Sequence, residues 1–345
     1  MFPRVKRPMK SSAWSIARRF VPWLCRGFYG VLASLLAMHT AGAHNGGIPE
    51  SLEQLSLSPI ADQVYVVHGM QTLPDTANQG FISNSGIVIG ENGVIVIDSG
   101  GSRVVGERIL VLLEQLTPKP VVAVINSHIH GDHWLGNLAI GEKYPEAQFI
   151  AHPRAIERLQ AGEAEDWAAL IGDMIAPGEN STQILIPDMA AVDGDELEFA
   201  GRRLKVHHTG HAHTDGDLMI QLAAERILFT GDIVEYQRAV SSDVPQDFDI
   251  DGQIAAIEYA LGLPIDIYVP GHGPSGDQRV ADGARQFLIS LRASVKRYYD
   301  EGQLDYEMLE AVRSDMAAYR DWYGMEFLGR LVSHVYQQIE ARDFQ

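Results

Sequence analysis

With 345 residues, 46% of them hydrophobic and 21% charged, the chain has the composition of a folded globular protein of one or two domains, without extensive disorder. A formal charge of −18 makes it a poor electrostatic partner for phosphate backbones, which weighs against nucleic-acid chemistry. The single cysteine, Cys25, lies near the N-terminus and leaves the remainder of the chain without a disulfide or a thiolate ligand.

Residues 1–43 differ in composition from the rest of the chain. Arg4, Lys6, Arg7, Lys10, Arg18, Arg19 and Arg26 are unaccompanied by any acid, and an uncharged apolar run, Phe28 to Met38, leads into Ala41-Gly42-Ala43. This pattern is expected for a signal peptide cut after Ala43, giving a periplasmic or secreted protein with no stable membrane insertion. An uncleaved anchor is the alternative, although the run is shorter than the ~20 residues a spanning helix needs. Removal of the leader leaves 20 basic against 45 acidic residues, a net charge of −25.

Residues 44–60 read as an irregular lead-in, and Val64 to Val67 as the first strand. Gly86-Ile87-Val88-Ile89 and Val94-Ile95-Val96-Ile97 form a hairpin around Glu91-Asn92-Gly93. Between them Gly69 to Ser85 is a polar loop of a length that is often functional. Asp98 ends the second hairpin strand and needs a partner if buried; one is available if it caps the helix that Arg103 to Leu116 predicts. Val121-Val122-Ala123-Val124-Ile125 is the next strand, and it runs into Ser127-His128-Ile129-His130-Gly131-Asp132-His133-Trp134. Three imidazoles and a carboxylate within six positions after a β-branched strand converge on one spot, and neutral imidazole nitrogen with carboxylate oxygen suits a borderline cation such as zinc.

This H-x-H-x-D-H turn resembles the signature of the metallo-β-lactamase fold superfamily, whose members are mostly hydrolases that use one or two metal ions. The resemblance implies an α/β fold, a four-layer αββα sandwich with the site at one edge between two β-sheets. It also implies that Asp98 stands behind the metal-bound histidines and that the Gly69–Ser85 loop can overhang the site, with Phe81 or Met70 as candidates, a solvated surface loop being the alternative.

Downstream, a helix is expected over Leu135 to Tyr144 and a strand over Gln148 to His152, with His152 an ordinary histidine. Residues 153–190 read as helical and then irregular. Leu197-Glu198-Phe199 and Arg203 to Val206 form a hairpin leading to His207-His208-Thr209-Gly210-His211-Ala212-His213-Thr214. The family places a ligand immediately before threonine, which selects His213 and leaves His211 as a neighbour that could exchange roles with it. Arg226 to Asp232 is an apolar strand ending in an aspartate, and Ile265 to Val269 runs into Pro270-Gly271-His272-Gly273. By resemblance His128, His130 and His213 hold a first zinc, Asp132, His133 and His272 a second, and Asp232 bridges the two, with Asp132 also a catalytic proton relay.

Residues 44–278 are thus expected to form the metallo-β-lactamase fold domain. Residues 279–345 form a helical C-terminal extension packed on it, whose apolar residues Phe287, Leu288, Leu291, Val295, Phe327, Leu328, Leu331, Val332 and Val335 serve packing or a homodimer contact. The implied activity is zinc-dependent hydrolysis of an ester, thioester, lactone or amide in a small-molecule substrate by a metal-bridging hydroxide. Alternatives are a periplasmic β-lactamase, a mononuclear iron persulfide dioxygenase, and a non-catalytic metal-binding accessory protein. A β-lactamase needs a cation for its substrate's carboxylate, and after Asp232 come Ile233, Val234, Glu235 and Tyr236, with Arg238 the nearest candidate.

Overall fold

The computed structural model describes residues 50–53, 55–178, 183–239 and 247–344; the leader read over residues 1–43 lies outside them. Seven strands make one sheet in sequential order: β1 (Ser58–Ala61), β2 (Val64–Val67), β3 (Ser85–Ile89), β4 (Val94–Ile97), β5 (Val121–Ile125), β6 (Gln148–Ala151) and β7 (Met189–Ala190). The first four pair antiparallel, and β4 through β7 run parallel. A second sheet holds β8 (Glu196–Phe199), β9 (Arg202–His207), β10 (Met219–Leu222), β11 (Ile227–Glu235) and β12 (Ile267–His272), in the order β12-β11-β10-β9-β8. Only β11 and β12 are parallel there.

The helices are α1 (Glu50–Glu53), α2 (Arg103–Leu116), α3 (Gly131–Trp134), α4 (Asn137–Lys143), α5 (Pro153–Arg158), α6 (Ala164–Ile175), α7 (Ile250–Leu261), α8 (Arg279–Asp300), α9 (Asp305–Asp315) and α10 (Leu328–Asp343). Strand β4 shows why the strands read as unbroken apolar runs. Ile95 and Ile97 point between the sheets toward Leu204, Val206, Ile220 and Phe229, while Val94 and Val96 point outward to Ile109, Leu112 and Leu113 of α2. A strand covered on both faces has no polar side to show. On the far side Leu228 and Tyr268 pack against Ile254 and Ile257 of α7, Leu291 and Val295 of α8, and Val335 of α10. The four layers are therefore α, β, β and α. Each such buried aliphatic side chain contributes ~1.5–3 kcal/mol relative to exposure.

Several elements differ from expectation. The lead-in contains β1, and the short β10 and the helix α7 were not anticipated. Strand β11 continues past Asp232 to Glu235, because Ile233 and Val234 remain buried and the strand stays paired with β12 across two register shifts. Phe81 does not overhang the site; it is fully buried among the residues packed on α2. Among the described residues no helix is long and apolar enough to cross a membrane.

Candidate metal centre

The turn after β5 is fixed from beneath. The Trp134 indole Nε1 donates to the carbonyl of Ile129 at 2.7 Å, and Asn126 Nδ2 donates to that of His133 at 3.0 Å. This presents His128 and His130 from the turn and Asp132 and His133 from the one-turn helix α3. From the second sheet come His213, in the loop between β9 and β10, Asp232 within β11, and His272 at the end of β12. The Asp217 carboxylate pins the His213 loop by accepting from the Thr214 N–H at 2.8 Å and its hydroxyl at 2.6 Å. Burial pushes Asp217 up to about 7.

All seven side chains are buried and converge. His128, His130, His213 and Asp232 form one group whose ligand-type atoms lie within 4.8 Å of one another, and Asp132, His133 and His272 form a second. Asp232 faces both groups. Its Oδ2 is 3.8 Å from His128 Nε2, 3.5 Å from His213 Nε2 and 3.3 Å from His272 Nε2, and its Oδ1 is 3.2 Å from His133 Nε2. His272 Nε2 also lies 3.2 Å from Asp132 Oδ2. Donors bound at ~2.0–2.1 Å to a tetrahedral ion stand ~3.3–3.4 Å apart, which lies within the 3.2–3.8 Å range of these distances. His128 Nε2, His133 Nε2 and Asp232 Oδ1 are buried with no hydrogen-bond partner. Such atoms are costly unless something positive and coordinating meets them, so the donor set fits one or two cations.

The outward atoms fix which nitrogen faces inward, as outer partners do in metal sites. His133 Nδ1 donates to Asp98 Oδ2 at 2.8 Å, and His272 Nδ1 to the Ile82 carbonyl at 2.7 Å. His128 Nδ1 meets the Ser127 hydroxyl at 2.9 Å, which itself donates to Asp98. His130 is reversed: its Nε2 donates to Asp247 Oδ2 at 3.1 Å, leaving Nδ1 facing His213 Nε2 at 3.0 Å. Asp98 therefore stands behind His133, and the cap of α2 is Ser102, which accepts from Val105 N–H. His211 stays outside both groups and bonds the Asp247 carbonyl.

Electrostatics separate the histidines. Burial holds His213 down at about 3 and His128 well below its usual value, so both are neutral imidazoles. Burial acts the same way on His133 and His272, but Asp232 and its neighbouring carboxylates outweigh it, raising His133 and bringing His272 to about 9. Asp132 and Asp232 are held well below the carboxylate range despite burial, by His133 and His272. The carboxylates thus draw positive charge into the site. Glu235 completes a third group with Asp232 and His272, and burial together with Asp232 pushes it up to about 8.

Sequence reasoning missed Asp247, Ser127 and the carbonyl of Ile82. No local pattern marks Asp247, which reaches His130 across 117 positions.

The family profile described as the metallo-beta-lactamase superfamily matches residues 78–272. A metallo-beta-lactamase type 2 from Bacillus sp. (strain 170) is 22% identical over 200 residues, 57% of this chain and 69% of the relative. An (R)-specific secondary-alkylsulfatase from Pseudomonas sp. is 26% identical over 179 residues, 49% of this chain, which spans only 25% of that protein. The solved metallo-beta-lactamase from Pontibacter korlensis superposes with a TM-score of 0.55 at 21% identity, covering 68% of this chain and 99% of that one. With the profile covering more than half its length, and the same sandwich beneath it, this chain belongs to the metallo-beta-lactamase superfamily.

Proposed function

We propose that the chain is a hydrolase with two zinc ions, one held by His128, His130 and His213, the other by Asp132, His133 and His272, with Asp232 shared between them. The observation that carries this reading is Asp232, whose two oxygens lie 3.2–3.8 Å from four histidines drawn from both groups. Ions bound there would polarise a carbonyl and let water ionise near pH ~7. The chain's residues do the rest. His128 and His213 stay neutral, the form in which imidazole ligates, and Asp98, Asp247 and the Ile82 carbonyl hold the rings in register. Asp132, ionised, would take up the proton lost by the attacking water on the carboxylate oxygen not turned to His133 and His272, and deliver it to the leaving group.

The bond cleaved is an ester, thioester, lactone or amide. A β-lactam is the second reading, favoured by the identity with the Bacillus enzyme. Position argues against it: Arg238 is buried with its Nε 3.3 Å from Glu235, and Arg158 is paired with Asp247 at 2.7 Å, so neither guanidinium is presented openly to a drug's carboxylate. Residues 1–43 are read as an export leader, and the mature exported protein is expected to begin at His44.

Metal analysis of purified protein is expected to give two zinc per chain, and one iron would favour the dioxygenase instead. Nitrocefin, a thioester, an acyl lactone and a secondary alkyl sulfate, each with and without chelator, identify the bond. Chelator-sensitive turnover of the thioester or lactone supports the reading; a flat response to all four overturns it in favour of a metal-binding accessory protein.

A further inference from the structure

Asp232 sits where the ladders of its sheet give out. Strand β10 pairs with β11 only as far as Phe229, and on the other side Gly231 faces Pro270 while Glu235 faces His272. Asp232 and Ile233 between them have no registered partner on either neighbouring strand, although both are buried. Buried carbonyls without a donor are costly, and here one side chain serves two. Gln253, buried in the first turn of α7, donates Nε2 to the Asp232 carbonyl at 2.8 Å and to the Ile233 carbonyl at 3.1 Å. Of the two ends of the amide only Nε2 can face carbonyl oxygens, so its orientation is settled, and Oε1 is left with no hydrogen-bond partner. An apolar side chain would avoid that penalty. The position is therefore polar for the sake of its two N–H groups. Gln253 is itself held in place. The Asp249 N–H donates at 2.8 Å to the carbonyl of Ala212, in the loop that carries His213, and a Cβ on Gly252 would fall 1.9 Å from the carbonyl oxygen of His211. On the other side Arg342 of α10 meets Asp249 at 2.7 Å, and Gln338 accepts from the Ile250 N–H at 3.0 Å.

Resting on the two-zinc reading, we propose that Gln253 is the positioning residue for the shared carboxylate: by fixing the peptide plane that follows Asp232, it sets where Oδ1 and Oδ2 point among the four histidines. The distances at stake are 3.2–3.8 Å, and a working constellation tolerates errors of only about 0.5 Å. The donors of Gln253 are spent on backbone, so it acts through Asp232. The C-terminal helix α10, which ties down the start of α7, then bears on the geometry of the centre and is not only packing for the second sheet.

The test compares the native chain with Gln253→Met, which keeps the bulk and loses both donors; Gln253→Asn, one methylene shorter, serves if the methionine variant melts early. Competition with a chromogenic chelator should show zinc bound about 10–100-fold more weakly, as on losing an outer partner. With cobalt(II) in place of zinc, the visible spectrum of the two-ion form should change in the variant and approach that of Asp232→Asn. Where a substrate turns over, kcat should fall by about tenfold or more, the effect of a small misplacement, with KM little altered. A residue serving stability alone would lower the melting temperature of the metal-free chain and leave affinity and spectrum as they were. Native affinity and a native spectrum in a folded Gln253 variant therefore overturn the proposal while leaving the hydrolase reading intact. Should the native chain take up fewer than two ions, the two-zinc reading fails, and crystal structures of the metal-free native and variant chains decide the positioning role. An Asp232 carboxylate displaced by more than about 0.5 Å relative to the four histidines supports it, and one left in place overturns it.

Discussion

Asp247 Oδ2 stands 3.1 Å from His130 Nε2 while Arg158 meets its other oxygen at 2.7 Å. The carboxylate therefore orients one histidine of the first group and is itself held by a guanidinium that also contacts Glu163 and Asp215. Asp247→Ala is expected to weaken the first ion by about 10–100-fold, the usual cost of losing such an outer partner. Competition with a chromogenic chelator measures this; equal affinities in variant and native protein would refute the role.

Asp98 occupies a left-handed conformation with φ 58°, accepts from Ser127 N–H at 2.7 Å and faces His133 Nδ1. Asparagine tolerates this backbone better than most residues, so Asp98→Asn isolates the carboxylate from the turn. The second ion should weaken by about 10–100-fold with the circular dichroism of the fold retained. A variant that binds both ions as tightly as the native chain would separate Asp98 from the metal centre.

Stability should depend on His152 in mild acid. Burial, and then the stacked ring of His208 at 4.1 Å, lower His152 to about 4. The unfolded chain, with its histidine near ~6.5, takes up the proton first, so the stabilisation is complete above that pH and is lost as pH falls toward 4. The contribution is about 1–3 kcal/mol. His152→Gln also alters the cap of α5, where the ring accepts from Arg154 N–H. The informative quantity is therefore the slope of unfolding free energy between pH 4 and 6.5, which should flatten in the variant.

Two glycines give opposite outcomes on alanine substitution. A Cβ on Gly271 would fall 1.8 Å from Asp232 Oδ1 and 2.8 Å from the Gly231 carbonyl carbon, whereas one on Gly172 in α6 meets nothing within 4 Å. Gly271→Ala should cost about 1–3 kcal/mol and reduce bound metal. Gly172→Ala should gain about 0.5–1 kcal/mol from helix propensity. Thermal melts of the two variants read the contrast directly.

The part of this arrangement visible in the residues alone was local, while His213, Asp232 and His272 were picked out through the family resemblance. His128, His130, Asp132 and His133 sit within six positions after an apolar strand, and the runs of β3, β4 and β5 are apolar because both of their faces are covered. What escaped was long-range. Nothing near Asp247 announces His130, and nothing near Gly69–Ser85 announces that Ser83 and Asn84 bond the backbones of Asp132, Pro270 and Gly273. The extension of β11 was hidden because an aspartate in an apolar run reads as a strand end. Here a register shift after Gly231 accommodates it within the ladder.

Of the six side chains grouped around Asp232, four come from the turn after β5, and two, with Asp232 itself, from the other sheet. Ions seated there would act as a clasp between the two halves of the sandwich, present only when both halves are closed. Heat tolerance would then follow the zinc concentration in the surroundings, by ~1.4 kcal/mol for each tenfold increase per ion above the dissociation constant. A chain of this kind would be sturdiest where such ions are plentiful.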